Sequence, residues 1–280
     1  MPDWTLAYDH YTPEQQGLRE ALCALGNGFI CTRGAFPWVD AGETHYPGTY
    51  LAGGYNRLQT QVQDRIIENE DLVNWPNWLV LSFRPDGGDW LDLDGMEVLA
   101  FHQELKLYEG VLHVDVTVRD ADRRETRVQL QRFVSQADRH RAGQYMTITP
   151  INWSGGMEVR SALDGRVINA GVARYRALNS DHLLHREQGP CPGETCADEL
   201  IHLTVETNQS HVRMGQAART RVWVNGAPTR RAAEVTTETG YVEQLFRLDA
   251  KEGAPVAVEK IVALHTSRDP AISEPGLAAV

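Results

Sequence analysis

Leu112-His113-Val114-Asp115-Val116-Thr117-Val118-Arg119 puts its apolar side chains on one side and its polar ones on the other. That period of two belongs to a half-buried β-strand. Val128, Leu130 and Val134 continue the pattern, but Arg132 falls on their apolar face. Either a bulge shifts the phase there or Arg132 is a buried, paired arginine. Leu79–Phe83 runs to a turn at Asp86-Gly87-Gly88 and returns through Trp90–Leu93, a hairpin by turn chemistry. Met146–Ile151 and Met157–Arg160 flank Asn152-Trp153-Ser154-Gly155-Gly156 and read as a second hairpin. Ile201–Val205, Val222–Val224 before an Asn225-Gly226 turn, Tyr241–Leu248 and Val256–Leu264 complete the strand set. Strands follow one another every ~8–12 residues without alternating helices, which predicts an all-β chain, an antiparallel sandwich. One short helix is expected. Thr12-Pro13-Glu14-Gln15 is a helix start, Leu18, Leu22 and Leu25 follow at helical spacing, and Gly26 can end it.

Composition narrows the partners. The chain has 280 residues, 42% hydrophobic and 23% charged, so a large core is within reach. A net charge of −11 argues against nucleic acid, whose phosphates require clustered Lys and Arg. No apolar run approaches the ~18 residues of a membrane span. Met1-Pro2-Asp3-Trp4 has neither the basic nor the apolar region of a signal peptide, which points to the cytoplasm. Cys191 and Cys196 read as two thiols of one surface loop that can be reduced or oxidised, and Cys23 and Cys31 supply no second tight pair for zinc.

The chemistry-bearing stretch is sought first at Leu25-Gly26-Asn27-Gly28-Phe29-Ile30-Cys31-Thr32-Arg33-Gly34, whose three glycines mean a sharply turning backbone. It lacks the Gly-Lys-Ser/Thr ending of a phosphate loop. Residues 35–78 read as irregular and are dense in aromatics, among them Phe36, Trp38, Tyr50, Trp75 and Trp78. Such rings either stack on sugar faces or pack the loop onto its own sheet. Glu68-Asn69-Glu70-Asp71 reads as a solvated turn, His45 and His102 as lone histidines, and His182 with His185 as lacking a metal-ligand context. No Gly-x-Ser-x-Gly elbow occurs. No catalytic and no metal-binding residue is therefore assigned.

Leu25–Gly34 resembles the LGNG-aromatic-x-G-x-RG signature near the start of glycoside hydrolase family 65, which contains maltose, trehalose and kojibiose phosphorylases and some trehalases. Pro47-Gly48-Thr49-Tyr50-Leu51-Ala52-Gly53-Gly54-Tyr55, Leu72–Leu79, Arg132-Phe133-Val134-Ser135, Ser161–Asn169 and His265-Thr266-Ser267-Arg268-Asp269 are similar to later landmarks, in order. Two positions depart from the pattern: Cys31 stands where the family has Gly, and Leu105–Gly110 is degenerate. The resemblance implies a large N-terminal β-sandwich of two packed antiparallel sheets, with a galactose-mutarotase-like supersandwich fold and little helix, over residues 1–270, and the start of a linker to an absent (α/α)6 barrel over 271–280. The general acid and the phosphate site of the family belong to that barrel. The implied parent reaction is inverting phosphorolysis, or hydrolysis, of an α-glucosyl disaccharide. It needs no cofactor beyond inorganic phosphate as co-substrate. Implied partners are the barrel, the disaccharide and a second copy in a homodimer, with no nucleic acid and no membrane. Asn27, Arg33, Tyr50, Asn74 and Trp75 are the candidates for the active-site rim or the domain interface. A stand-alone carbohydrate-binding module, with Trp75 in a stacking platform, is the alternative.

Overall fold

A computed structural model describes residues 4–170, 178–191, 200–229, 233–270 and 274–280. In chain order it begins with β1 (Thr5–Tyr8), α1 (Pro13–Leu22), β2 (Leu25–Gly26), β3 (Ile30–Thr32), β4 (Thr49–Leu51), β5 (Tyr55–Val62) and β6 (Arg65–Leu72). There follow β7 (Leu81–Pro85), β8 (Glu97–Lys106), β9 (Val111–Arg119), β10 (Glu125–Val134), β11 (Arg141–Pro150), β12 (Gly155–Asp164) and β13 (Leu183–Pro190). The last part holds β14 (Leu200–Thr207), β15 (Arg213–Val224), β16 (Ala227–Pro228), β17 (Glu234–Glu238), β18 (Tyr241–Ala250), β19 (Val256–Thr266) and α2 (Pro275–Ala279). The chain is 55% strand and 6% helix, so the all-β expectation holds.

The large sheet runs β1-β8-β9-β10-β11-β19-β15-β14-β13, with β16 paired to β15. A smaller sheet, β17-β18-β12-β7, packs on its inner face, and every pairing is antiparallel. Both hairpins expected at 79–93 and 146–160 are corrected by this topology. β7 pairs with β12, and residues 90–93 form a loop whose Leu91 N–H still donates to Phe83 O at 3.0 Å. β11 lies in the large sheet and β12 in the small one, so residues 151–154 carry the chain between layers. Trp153 fills that crossover, its Nε1 donating to Thr126 Oγ1 at 2.9 Å. Residues 35–78 are not irregular throughout: β5 and β6 form a two-stranded arm, and Glu68–Asp71 lie in β6 rather than in a turn. Arg57 bridges to Glu70 at 2.9 Å across the arm.

α1 is turned inside out relative to its leucines. Gln16, Arg19 and Glu20 are buried, whereas Leu18 and Leu22 are 63% and 50% exposed. Leu25 falls in β2, beyond the helix.

Two apolar clusters fill the sandwich, and a polar row separates them. On β10, Val128 and Leu130 belong to one cluster and Val134 to the other, with Arg132 between. The same alternation puts Gln144 between Ala142 and Met146, and Lys260 between Val258 and Val262. Cross-strand register aligns Arg132, Gln144, Lys260 and Thr220 in one line across the sheet. Arg132 Nη1 donates to Ala35 O at 2.7 Å, Gln144 Nε2 to Leu79 O at 2.6 Å, and Lys260 Nζ to Val80 O and Ala162 O at 2.9 and 2.6 Å. Thr220 and Ser161 share a hydroxyl bond of 2.8 Å between the layers. β10 carries no bulge, so Arg132 is a buried arginine, and backbone carbonyls are its partners. Burial pushes the affinity of Lys260 for its proton well below the ordinary lysine range, and the neighbouring Arg132 charge acts the same way.

Candidate functional site

The glycine-rich stretch builds a three-stranded sheet, β2-β3-β4, against one flank of the sandwich. Gly28 turns the chain between β2 and β3 at φ 86°, a value costly for any residue with a Cβ. Asn27 locks that turn with all four of its side-chain hydrogen bonds. Its Oδ1 accepts from the N–H groups of Phe29 and Ile30, both at 2.9 Å, and its Nδ2 donates to Ser135 O and Arg139 O at 2.7 and 3.0 Å. Arg33 donates to Gly17 O at 2.7 Å, lies 3.5 Å from the buried Glu20 carboxylate and faces the Tyr46 ring at 5.5 Å. Glu20 also accepts from Tyr46 N–H at 2.9 Å and meets His45 Nδ1 at 2.8 Å. His45 is therefore not alone, and neither is His102, which contacts Asp9 at 2.8 Å.

Tyr50, on β4, pairs in register with Cys31; burial, then the nearby Tyr46, raises its phenol above the ordinary range. Asn74 is buried: Oδ1 accepts from Thr49 N–H at 3.0 Å, and Nδ2 donates to Ile168 O at 3.3 Å. Trp75 is fully buried, and a Cβ on Gly54 would lie 2.5 Å from its Nε1, so only glycine lets the two pack. Phe36, Trp38 and Trp78 are buried as well. Arg33, Tyr50, Asn74 and Trp75 thus gather around β4, and Asn27 anchors the far end of the same small sheet.

At that far end, four of the motif stretches meet. Arg268 Nη1 donates to Gly53 O at 2.6 Å, Asn27 holds Ser135 and Arg139, and Phe29 meets the His140 ring edge-on with centroids 4.6 Å apart. His140 and His265 stack with centroids 4.0 Å apart and planes 15° apart, and each Nδ1 lies 3.9 Å from Asp269 Oδ2. Ligand atoms of these three residues fall within 4.8 Å of one another. Two stacked, nearly parallel rings do not aim their lone pairs at one point, and of the three residues His140 and Asp269 have their ligand atoms engaged while His265 Nδ1 has no hydrogen-bond partner among the described residues. His140 Nδ1 bonds Leu264 O at 2.9 Å and Asp269 Oδ2 accepts from Thr266 N–H at 2.7 Å. Burial first, then the adjacent His140, lowers the basicity of His265. The trio ties the β10–β11 turn to the end of β19, two stacked rings beside one carboxylate. Sequence spacing gave no hint of it, because His140 and His265 lie on segments that meet only in the folded sheet.

Beside Asn74 opens a cavity of about 530 Å³. Its polar lining comes from Asp40, Tyr46, Asn74, Asn77, Asp164 and Arg166, and Val80, Val167 and Ile168 supply apolar wall. Asn77 is fixed by a backbone bridge to Asp164 and by its own Oδ1, which accepts from Leu79 N–H at 2.9 Å. Cys191 is disulfide-bonded rather than a free thiol, while Cys196 lies outside the described residues. Among the described residues no helix is long and apolar enough to cross a membrane.

A model of the glycosyl hydrolase family 65 N-terminal domain matches residues 6–280. The chain belongs to that family. An uncharacterized glycosyl hydrolase of Mycobacterium tuberculosis (strain H37Rv) is 39% identical over 268 residues, covering 96% of this chain and 20% of the relative. Kojibiose phosphorylase of Caldanaerobacter subterraneus subsp. tengcongensis is 28% identical over 274 residues, covering 95% of this chain and 33% of the enzyme. Among solved structures, a putative kojibiose phosphorylase from human microbiome superposes with a TM-score of 0.80 at 15% identity, covering 96% of this chain and 33% of that one. This family 65 N-terminal domain therefore spans between a fifth and a third of the relatives it matches.

Proposed function

We propose that this chain serves as the non-catalytic N-terminal domain of an enzyme that cleaves α-glucosyl disaccharides by inverting phosphorolysis, with hydrolysis as the variant within the family. The observation that carries the reading is the match of the N-terminal domain over residues 6–280, with phosphorylases among the longer relatives. In the parent reaction a carboxylic acid of the barrel protonates the leaving oxygen. Inorganic phosphate attacks the anomeric carbon from the opposite face, giving β-glucose 1-phosphate. Phosphate is already an anion and needs cationic and hydrogen-bonding groups to hold it rather than a general base. The sandwich supports the barrel and the dimer, and Asn27, Arg33, Tyr50, Asn74 and Trp75 brace the segment nearest the active-site rim. The cytoplasm, where phosphate and phosphosugars are abundant, is the proposed location.

The test is to express this chain together with its downstream coding sequence and incubate it with kojibiose, trehalose and maltose, with and without phosphate. Phosphate-dependent release of β-glucose 1-phosphate is expected, with none from the 280-residue chain alone. Glucose release independent of phosphate would move the reading to hydrolysis, and no cleavage of any α-glucoside would sink it. A second reading, a saccharide-binding module, draws on the polar cavity beside Asn74. Phe36, Trp38, Trp75 and Trp78 are buried and offer no stacking face for it.

A further inference from the structure

We propose that the cavity beside Asn74 and Asn77 is a saccharide subsite of the sandwich itself, taking a neutral mono- or disaccharide. Its volume of about 530 Å³ lies within the ~300–1,000 Å³ usual for small-molecule sites. The ligand class follows from which lining groups are engaged and which are free. Arg166, the cation of the lining, is spent: it forks onto Asp164 at 2.9 and 3.0 Å and reaches Glu238 at 3.0 Å. Asp164 is offset by Arg166, but a phosphate or carboxylate ligand would meet the Asp40 carboxylate with no free cation in the described lining, so an anion is disfavoured.

What remains unengaged suits hydroxyls. Asn77 commits Oδ1 to Leu79 N–H, and among the described residues its Nδ2 has no protein partner. Asn74 uses one Nδ2 hydrogen on Ile168 O, and the other is left over. The exposed Asp40 carboxylate has no hydrogen-bond or ion-pair partner among the described residues. Amide donors and a carboxylate acceptor lining one cavity match vicinal hydroxyls, each of which both donates and accepts. Val80, Val167 and Ile168 meet the C–H face of a sugar ring.

The donors are also held in place before any ligand arrives. Asn77 pairs backbone to backbone with Asp164 at 2.7 and 3.0 Å, and Asn74 N–H donates to Asn169 Oδ1 at 2.8 Å. Fixed amides lose little conformational entropy on binding.

The choice of α-glucosides as probes rests on the function proposed above, although the cavity argument does not. The experiment is calorimetric titration of the 280-residue chain with trehalose, kojibiose and glucose, repeated on Asp40→Ala and Ala41→Trp. Both substitutions fall on exposed loop positions, so thermal unfolding should match the parent. Saturable binding is expected in the parent. Asp40→Ala should weaken it about tenfold, the worth of one charge-assisted hydrogen bond, and Ala41→Trp, which adds an indole at an exposed lining position, should abolish it. Unchanged affinity in either variant, or no saturable binding to any probe, overturns the proposal. If the longer form phosphorolyses these sugars while the isolated chain ignores them, this inference falls and the proposed function stands. Binding here without turnover by the longer form would uphold the subsite and overturn the proposed function.

Discussion

The polar row through the sandwich and the glycine-rich flank both bury polar side chains, yet they satisfy them in opposite ways. In the row, Arg132, Gln144 and Lys260 reach across to backbone carbonyls of the facing layer, and among the described residues no carboxylate pairs with either cation. In the flank, a buried carboxylate, Glu20, collects Arg33, His45 and a backbone N–H, while Asn27 and Asn74 hold backbone groups. Carbonyl partners neither titrate nor change rotamer, so the row fixes how one sheet sits on the other. The flank instead leaves an amide hydrogen of Asn74 over, and Asn74 lines the cavity. A buried network closed mainly on backbone carbonyls specifies structure, even with Arg132 Nη2 left unpartnered among the described residues, whereas free polar groups beside a surface cavity are available to a ligand.

Arg132→Ala should break this contrast most severely. It removes a large core side chain and strands Ala35 O, which together should cost about 3–5 kcal/mol. Urea unfolding would register this as a lower midpoint at unchanged slope. A loss below about 1 kcal/mol would mean that the row does not hold the layers together.

Lys260 gives the row a pH signature. A neutral amine has two N–H groups, and Nζ meets two carbonyls, Val80 O and Ala162 O. Because the folded state depresses the proton affinity below the ordinary 10.5, the unfolded chain binds the extra proton in the window beneath that value. Stability from this group therefore rises with pH from the depressed folded-state value up to 10.5 and is lost as pH falls through that window. The slope for one full proton is about 1.4 kcal/mol per pH unit. Denaturant midpoints measured between pH 7 and 10 on the parent and Lys260→Met should diverge by up to that slope. Parallel curves would show a charged Lys260.

On the flank the expected effect is smaller and more local. Asn27→Ala removes four hydrogen bonds at a partly exposed turn, where water replaces some of them, so about 1–2 kcal/mol is expected. Hydrogen exchange should speed up at the amides of Phe29 and Ile30, which lose Oδ1, and stay slow in β10 and β11. Uniform acceleration across the sandwich would make Asn27 part of the global core.

How far the sequence could be read follows the same division. The strands with clean alternation were legible, and Arg132 stood out because it broke the phase of β10. Lys260 breaks the phase of Val256, Val258, Val262 and Leu264 in the same manner, and Gln144 that of Ala142, Met146 and Ile148, so the whole row was visible in principle. Which strands pair was not. The turns at 86–88 and 152–156 have hairpin chemistry, but local chemistry does not say whether the next strand returns beside its neighbour or crosses to the other layer. The arm β5–β6 escaped because its outer half reaches solvent on both faces, Ile66 and Ile67 included, so no inside-outside alternation marks it. Motif order located the small sheet and its candidate residues, while the cavity depends on Asp164 and Arg166 arriving from β12 and the segment after it.

Within α1 the same contrast plays out on a single helix. Its inward face is Gln16, Arg19 and Glu20, and Leu18 and Leu22 point to solvent. The usual expectation for two leucines four residues apart is a buried stripe, and removing one would then cost ~2–5 kcal/mol. Here the exposed Leu18 has little apolar area to lose, so Leu18→Ser should shift stability by no more than about 0.5 kcal/mol. The check is its denaturation midpoint beside that of the parent. Coincident curves would confirm that this helix is held by its polar face, through Arg19 on His10 O at 2.6 Å and Glu20 on Arg33 and His45. A loss above about 1.5 kcal/mol would mean that the helix turns its leucines inward, which would pull Glu20 out of the flank network and leave Arg33 without its carboxylate.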